Sequence, residues 1–108
     1  MTKTPNKLVR DRVPEIIEAD GGSAVTRTLT AAQFFDALHD KLIEEVGELK
    51  EAADREDVIA KAAGIIEVVT AICDMHGVQM SEVARRQTLE RGALGTFTDR
   101  IFLIETRD

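Results

Sequence analysis

"AKAAGIIEVVTAIC", residues 60–73, decides how this chain folds. Between Ala62 and Cys73 only Gly64, Glu67 and Thr70 interrupt an apolar surface. The run predicts a helix from about Asp57 to Met75 that stops near Gly77. A helix that is apolar on nearly every side must be buried on nearly every side. A carboxylate, Glu67, nevertheless sits in its middle. Gly64 stands one helical turn before Glu67, and Lys61 one turn before that.

The chain offers one other long helix to cover this surface. Residues 31–53 are amphipathic, with Phe34, Leu38, Leu42, Val46 and Leu49 recurring at the helical period. Thr30-x-x-Gln33 is a capping box at its start. "DRED", residues 54–57, is a turn and a fresh helix N-terminus, its acids favoured by the helix dipole. One helix cannot surround another, so the pattern predicts that a second copy supplies the rest. The expected architecture is all-α: a homodimer whose long helices form a bundle across a two-fold axis, with a tetramer also compatible.

Around this pair, residues 7–20 start basic and then read as a short helix, with Pro14 at its first helical position and Gly21-Gly22 after it. A third, shorter helix is expected over about Ser81–Glu90, followed by a glycine-bearing loop, "RGALGT", at 91–96. Residues 24–29, "AVTRTL", and 100–106, "RIFLIET", have strand composition and can pair as a short two-stranded sheet.

The 108 residues make one domain, 1–108, with an aliphatic core, since there is no Trp or Tyr and only four Phe. A net charge of −6 argues against a nucleic-acid partner, which wants a basic surface. No apolar stretch is long enough to span a bilayer, so no membrane partner is expected. The single cysteine, Cys73, and the polar Met1–Lys7 stretch fit a reducing, cytoplasmic setting without a signal peptide.

The first long helix carries "KLIEEVGELKEA", residues 41–52. Glu45 and Glu48 are three apart, and Glu44 and Glu48 four apart, so all three share one face. A solvated acidic face with Lys41 and Lys50 as neighbours explains this plainly. The functional alternative is a hard-cation site, since Mg²⁺ takes oxygen ligands and usually keeps several waters.

Four stretches together resemble the MazG-like nucleoside triphosphate pyrophosphohydrolases: "KLVRDRVPEII" at 7–17, "KLIEEVGELKEA" at 41–52, "IIEVVTAI" at 65–72 and "ERGALGTFTDRIFL" at 90–103. The likeness is closest to the small branch that opens with a Lys-Leu-Val-Arg-Asp motif, and it covers nearly the whole chain in order. It implies a MazG-like helical bundle, dimeric or higher, and Mg²⁺-dependent hydrolysis of a nucleoside triphosphate, often non-standard, to the monophosphate and pyrophosphate. The family's metal pattern is Glu-Glu-x-x-Glu on one helix and Glu-x-x-Asp on the next. Glu44, Glu45 and Glu48 match the first half. In the second half, Lys61 falls where the glutamate belongs and Gly64 where the aspartate belongs.

Three accounts of that departure stand open. Glu67 and the first-helix glutamates still hold one Mg²⁺; or the Lys61 ammonium replaces the metal's charge and the site is dead or altered; or Asp57 contributes instead. If the chemistry survives, Glu44 and Glu48 are expected as metal ligands from the matching first-helix pattern, Glu67 joins them under the first account, and Glu45, outside the metal's ligands, is the expected general base. Lys7, Arg10, Arg12, Lys61, Arg91 and Arg100 would bind the substrate's phosphates; salt bridges to the protein's many acids are their plain alternative. The runner-up is a member without catalysis that binds a nucleotide, a related phosphorylated small molecule or a protein partner, or serves another reaction. A purely structural dimerisation module would explain the apolar helix but not the basic N-terminal motif.

Weaker signals add little. Cys73-x-x-His76 lacks the two further ligands a zinc site needs. His76 beside Gly77 suits a helix C-terminus. His39 is expected on the exposed side of the first long helix, and Arg85-Arg86 on a solvated face.

Overall fold

A computed structural model describes all of residues 1–108. Four helices follow one another: α1 (Val13–Ala19), α2 (Ala31–Lys50), α3 (Arg55–Met75) and α4 (Met80–Leu94). Each begins where local chemistry supplies a start. Pro14 lies in the first turn of α1, where its missing N–H is no loss. The Thr30 hydroxyl accepts from the Gln33 N–H at 3.2 Å, and the Gln33 amide oxygen accepts from the Thr30 N–H at 3.1 Å, closing the capping box of α2. Asp54 caps α3 through the Asp57 N–H at 2.8 Å, with Glu56 and Asp57 in the first turn. Gly21, at φ +92, and Gly77, at φ +68, take left-handed conformations after α1 and α3.

The core is the antiparallel α2–α3 hairpin, turned over residues 51–54. Its two ends identify the pairing. Phe35, early in α2, meets His76, at the C-terminal cap of α3, with ring centroids 6.1 Å apart. At the other end Glu48 meets Lys61. Leu38, 3% exposed, and Val68 are the buried apolar side chains between them, with Gly64 buried beside the acidic half of α2.

Several expectations are corrected here. Residues 24–29 and 100–106 form no strand, and the one backbone hydrogen bond from either stretch is local, from the Arg100 N–H to the Phe97 carbonyl at 3.2 Å. A two-stranded pair is marginal without further support, and within one chain neither stretch has an edge to pair with. α4 runs through "RGAL" to Leu94 instead of ending at Glu90. The glycine that stops it is Gly95, at φ +83, whose N–H reaches the Arg91 carbonyl at 2.9 Å; Gly92 is absorbed in the helix. α2 ends at Lys50 rather than Ala53. His39 is half-buried rather than exposed: it stacks on Phe35 at 4.3 Å, and its Nδ1 lies 2.7 Å from the Phe35 carbonyl oxygen.

The single chain is not closed. Its radius of gyration is 18.5 Å, whereas a compact chain of this length has one of roughly 13 Å. Its accessible surface is 9783 Å², against roughly 5,900 Å² for a compact monomer of this mass. Ile43 and Val46 on α2, and Val58, Ile59 and Ile66 on α3, remain exposed. No helix is long and apolar enough to cross a membrane.

Candidate functional site

The apolar stripe of α2 does not run straight along α3. Leu38 is buried and Leu42 half-buried, but one turn on Val46 points outward. Its neighbour Glu45 takes the inward position instead, with its side chain only 16% exposed. The helical phase therefore turns acids, not apolar groups, toward the first half of α3.

What α3 presents there is Lys61 and Gly64. The Lys61 ammonium sits 3.2 Å from Glu48 Oε2. One turn along, Gly64 lies under the Glu45 carboxylate so closely that a Cβ at that position would stand 2.8 Å from Glu45 Oε2. The missing side chain of Gly64 is the space in which Glu45 rests. On the far side Lys41 lies 3.7 Å from Glu44 Oε1 and 3.9 Å from Glu45 Oε1. The result is a ladder of three carboxylates closed at each end by an ammonium group. Glu45 is the enclosed one of the three; Glu44 and Glu48 are about equally open, and Glu48 meets α3 through Lys61.

The electrostatics follow from this geometry. A hydrogen bond from Lys61 to Glu48 and the Glu48 charge hold the Lys61 ammonium above its ordinary value of 10.5, opposed by partial desolvation and helped by Asp57 and Glu45.

The basic motif at the N-terminus reaches part of this face. Lys7 lines a shallow, open depression together with Asp40, Lys41 and Glu44. Arg12 turns away to Glu15, Nε to Oε1 at 2.6 Å, with both side chains exposed. Arg10 is exposed. Arg91 is in the last turn of α4, and Arg100 lies beyond it at φ +54. α4 does not pack along the α2–α3 hairpin, so the chain by itself does not bring these two arginines to the ladder. Glu67 lies between exposed Ile66 and buried Val68 and is itself exposed, so the cost of a buried unpaired carboxylate does not arise within one chain.

Magnesium's ordinary donors are present in half the expected arrangement. Glu44, Glu45 and Glu48 offer carboxylate oxygens from one helix face, which suits a cation held by one or two carboxylates and substrate phosphates. The two-helix ligand set does not fit: no three acidic, His or Cys side chains converge, and α3 offers an ammonium and a glycine.

Lys41, expected beside these acids, closes the ladder from three and four residues before Glu44 and Glu45. Reading spacing alone missed one feature. The Phe35–His39–His76 cluster at the opposite end of the hairpin is visible only once α2 and α3 are paired.

No protein-family model matches the chain. It is similar to an uncharacterised protein of Mycolicibacterium smegmatis (strain ATCC 700084 / mc(2)155), 53% identical over 51 residues. That match takes in 47% of this chain and spans about half, 51%, of the relative's length. No solved structure matches.

Proposed function

We propose that this chain is a MazG-like nucleoside triphosphate pyrophosphohydrolase, cytoplasmic and at least dimeric. It would cleave a standard or non-standard nucleoside triphosphate to the monophosphate and pyrophosphate, with Lys61 and Gly64 in place of half its metal site. The observation that carries this reading is the turning of Glu45 and Glu48 onto α3 at the level of Lys61 and Gly64. A merely solvating acidic face would point away from the neighbouring helix. The order of the four resembling stretches along the chain supports the same reading.

Glu44, Glu48 and Glu67 are the residues that would hold Mg²⁺, Glu67 only if a second copy or a substrate closes over it. Magnesium held there would neutralise phosphate charge and acidify water. Glu45, freed from Lys41, takes the proton of the water that attacks phosphorus. One P–O bond forms to that water, the bridging bond to pyrophosphate breaks, and pyrophosphate leaves with its electron pair. The Lys61 ammonium stands where a cationic charge is wanted against the triphosphate, and Lys7 reaches the same face from the N-terminal motif. Arg10, Arg12, Arg91 and Arg100 complete the phosphate contacts if assembly brings them in.

A second reading has its own support. The 3.2 Å Lys61–Glu48 pair occupies a carboxylate that catalysis would need, which favours a descendant that binds a nucleotide without hydrolysing it. Calorimetric titration with a nucleoside triphosphate in Mg²⁺, beside a pyrophosphate-release assay, separates the two. Hydrolysis lost in Glu48→Gln supports the first reading. Binding without turnover supports the second, and neither binding nor turnover rejects both.

A further inference from the structure

We propose that the C-terminal arm of one copy, residues 101–106, pairs as a β-strand with residues 24–29 of a second copy. This rests on the dimeric part of the reading above and goes beyond it.

Ile101, Phe102, Leu103 and Ile104 are four consecutive apolar residues, each at least 73% exposed. An extended run that is apolar on both faces is the pattern of a strand covered on both sides. Its backbone makes no hydrogen bond to the rest of the chain. Residues 24–29 are in the same condition: outside any helix, hydrogen-bonded to nothing through their backbone, with Val25 fully exposed. These are the two stretches of strand composition in the molecule, and each lacks what the other offers.

The fold keeps them from meeting in cis. α4 is 15 residues long, about 22 Å of helix. It does not lie along the hairpin, and it carries the arm outward in a molecule whose longest extent is 63 Å. The occupant is a second copy on grounds of area. The surface beyond that of a compact monomer is roughly 3,900 Å² per chain, more than a large obligate interface takes from each partner, about 1,000–2,500 Å². An exposed unpaired edge of this hydrophobicity needs such a cover.

The sequences also complement each other in one antiparallel register. Setting Arg27 against Glu105 places Leu29 against Leu103, Thr28 against Ile104 and Thr26 against Thr106. Opposite charges, paired leucines and paired threonines are favourable cross-strand neighbours. A two-stranded ribbon alone is marginal, so it forms on a dimer already held by the α2–α3 faces.

Exchange of single cysteines tests this in the full chain. One preparation carries Leu29→Cys and the other, with an affinity tag, carries Leu103→Cys; both carry Cys73→Ala. After mixing and mild oxidation, a disulfide between residue 29 of one chain and residue 103 of the other is expected, read on a non-reducing gel and by mass spectrometry. Linkage no greater than with Glu90→Cys in place of Leu103→Cys would overturn the proposal. So would an intrachain disulfide in a chain bearing both substitutions when the mixed single variants stay unlinked. Light scattering on the same samples reports the dimer separately, so a dimer without the 29–103 link overturns the arm exchange and leaves the assembly standing.

Discussion

At residue scale, Gly64 and Lys61 together set where Glu45 and Glu48 lie. An aspartate at residue 64 would need a Cβ 2.8 Å from Glu45 Oε2, and a second carboxylate beside the first. With glycine there, Glu45 folds inward and Lys61 neutralises Glu48. The atom in the way of a new Cβ is the far end of a flexible side chain, so Gly64→Ala lets Glu45 swing out. Alanine favours a helix interior over glycine by about 1 kcal/mol. Gly64→Ala is therefore expected to raise the melting temperature by a few degrees in thermal unfolding, while impairing any Glu45-dependent turnover. The Lys61 ammonium gives a pH signature of known sign. Its folded value is raised, so its contribution to stability is complete below the ordinary 10.5 and disappears as pH climbs through the raised folded value. An NMR titration of the Lys61 side chain should show that raised value in the native protein and a return toward the ordinary one in Glu48→Gln. An unchanged titration in the variant would remove Glu48 as the cause.

At element scale, the helices were legible where start signals and periodicity agree, and less so where tertiary phase intervenes. Thr30 and Gln33 name their helix start because capping is local chemistry, whereas α3, expected from about Asp57, starts two residues earlier at Arg55, capped by Asp54. Thr30→Ala should cost about 1 kcal/mol, measured by urea unfolding. Leu38→Ala, in a core this small, should cost about 2–5 kcal/mol. The end of α4 was misplaced because Gly92 and Gly95 look alike in sequence, and only one lies where the helix can stop. Val46 continues a stripe of every fourth residue, yet the helix delivers Glu45 to the seam, since each step of four overshoots a 3.6-residue turn and carries the stripe around the cylinder. That same drift hid the ladder: spacing showed that Glu44, Glu45 and Glu48 share a face, but not that the face looks at α3. Strand composition at 24–29 and 100–106 was legible, but pairing depends on a neighbour that one chain does not provide.

At the scale of the whole molecule, the unfinished surface is the dominant fact. Val58, Ile59 and Ile66 on α3 face outward beside Ile43 and Val46 on α2, as expected if a second hairpin packs against the first. Ile66 is 58% exposed in one chain, where a charge would ordinarily change stability by less than about 0.5 kcal/mol. Ile66→Glu is instead expected to dissociate the assembly, read as a fall to monomer mass in light scattering together with a loss of helicity. A variant that keeps the native mass and circular dichroism spectrum would show that this face is free. Within one chain Glu67, Arg91 and Arg100 stand apart from the acidic ladder.

The most direct measurement restores the acids that α3 lacks. Mg²⁺-dependent pyrophosphate release from a panel of standard and modified nucleoside triphosphates is compared between the native chain and Lys61→Glu/Gly64→Asp. Faster release in the double variant, lost again when Glu48→Gln is added, is the predicted result. Equal or slower release from a correctly assembled double variant would contradict the derivation of this helix seam from a magnesium and phosphate site.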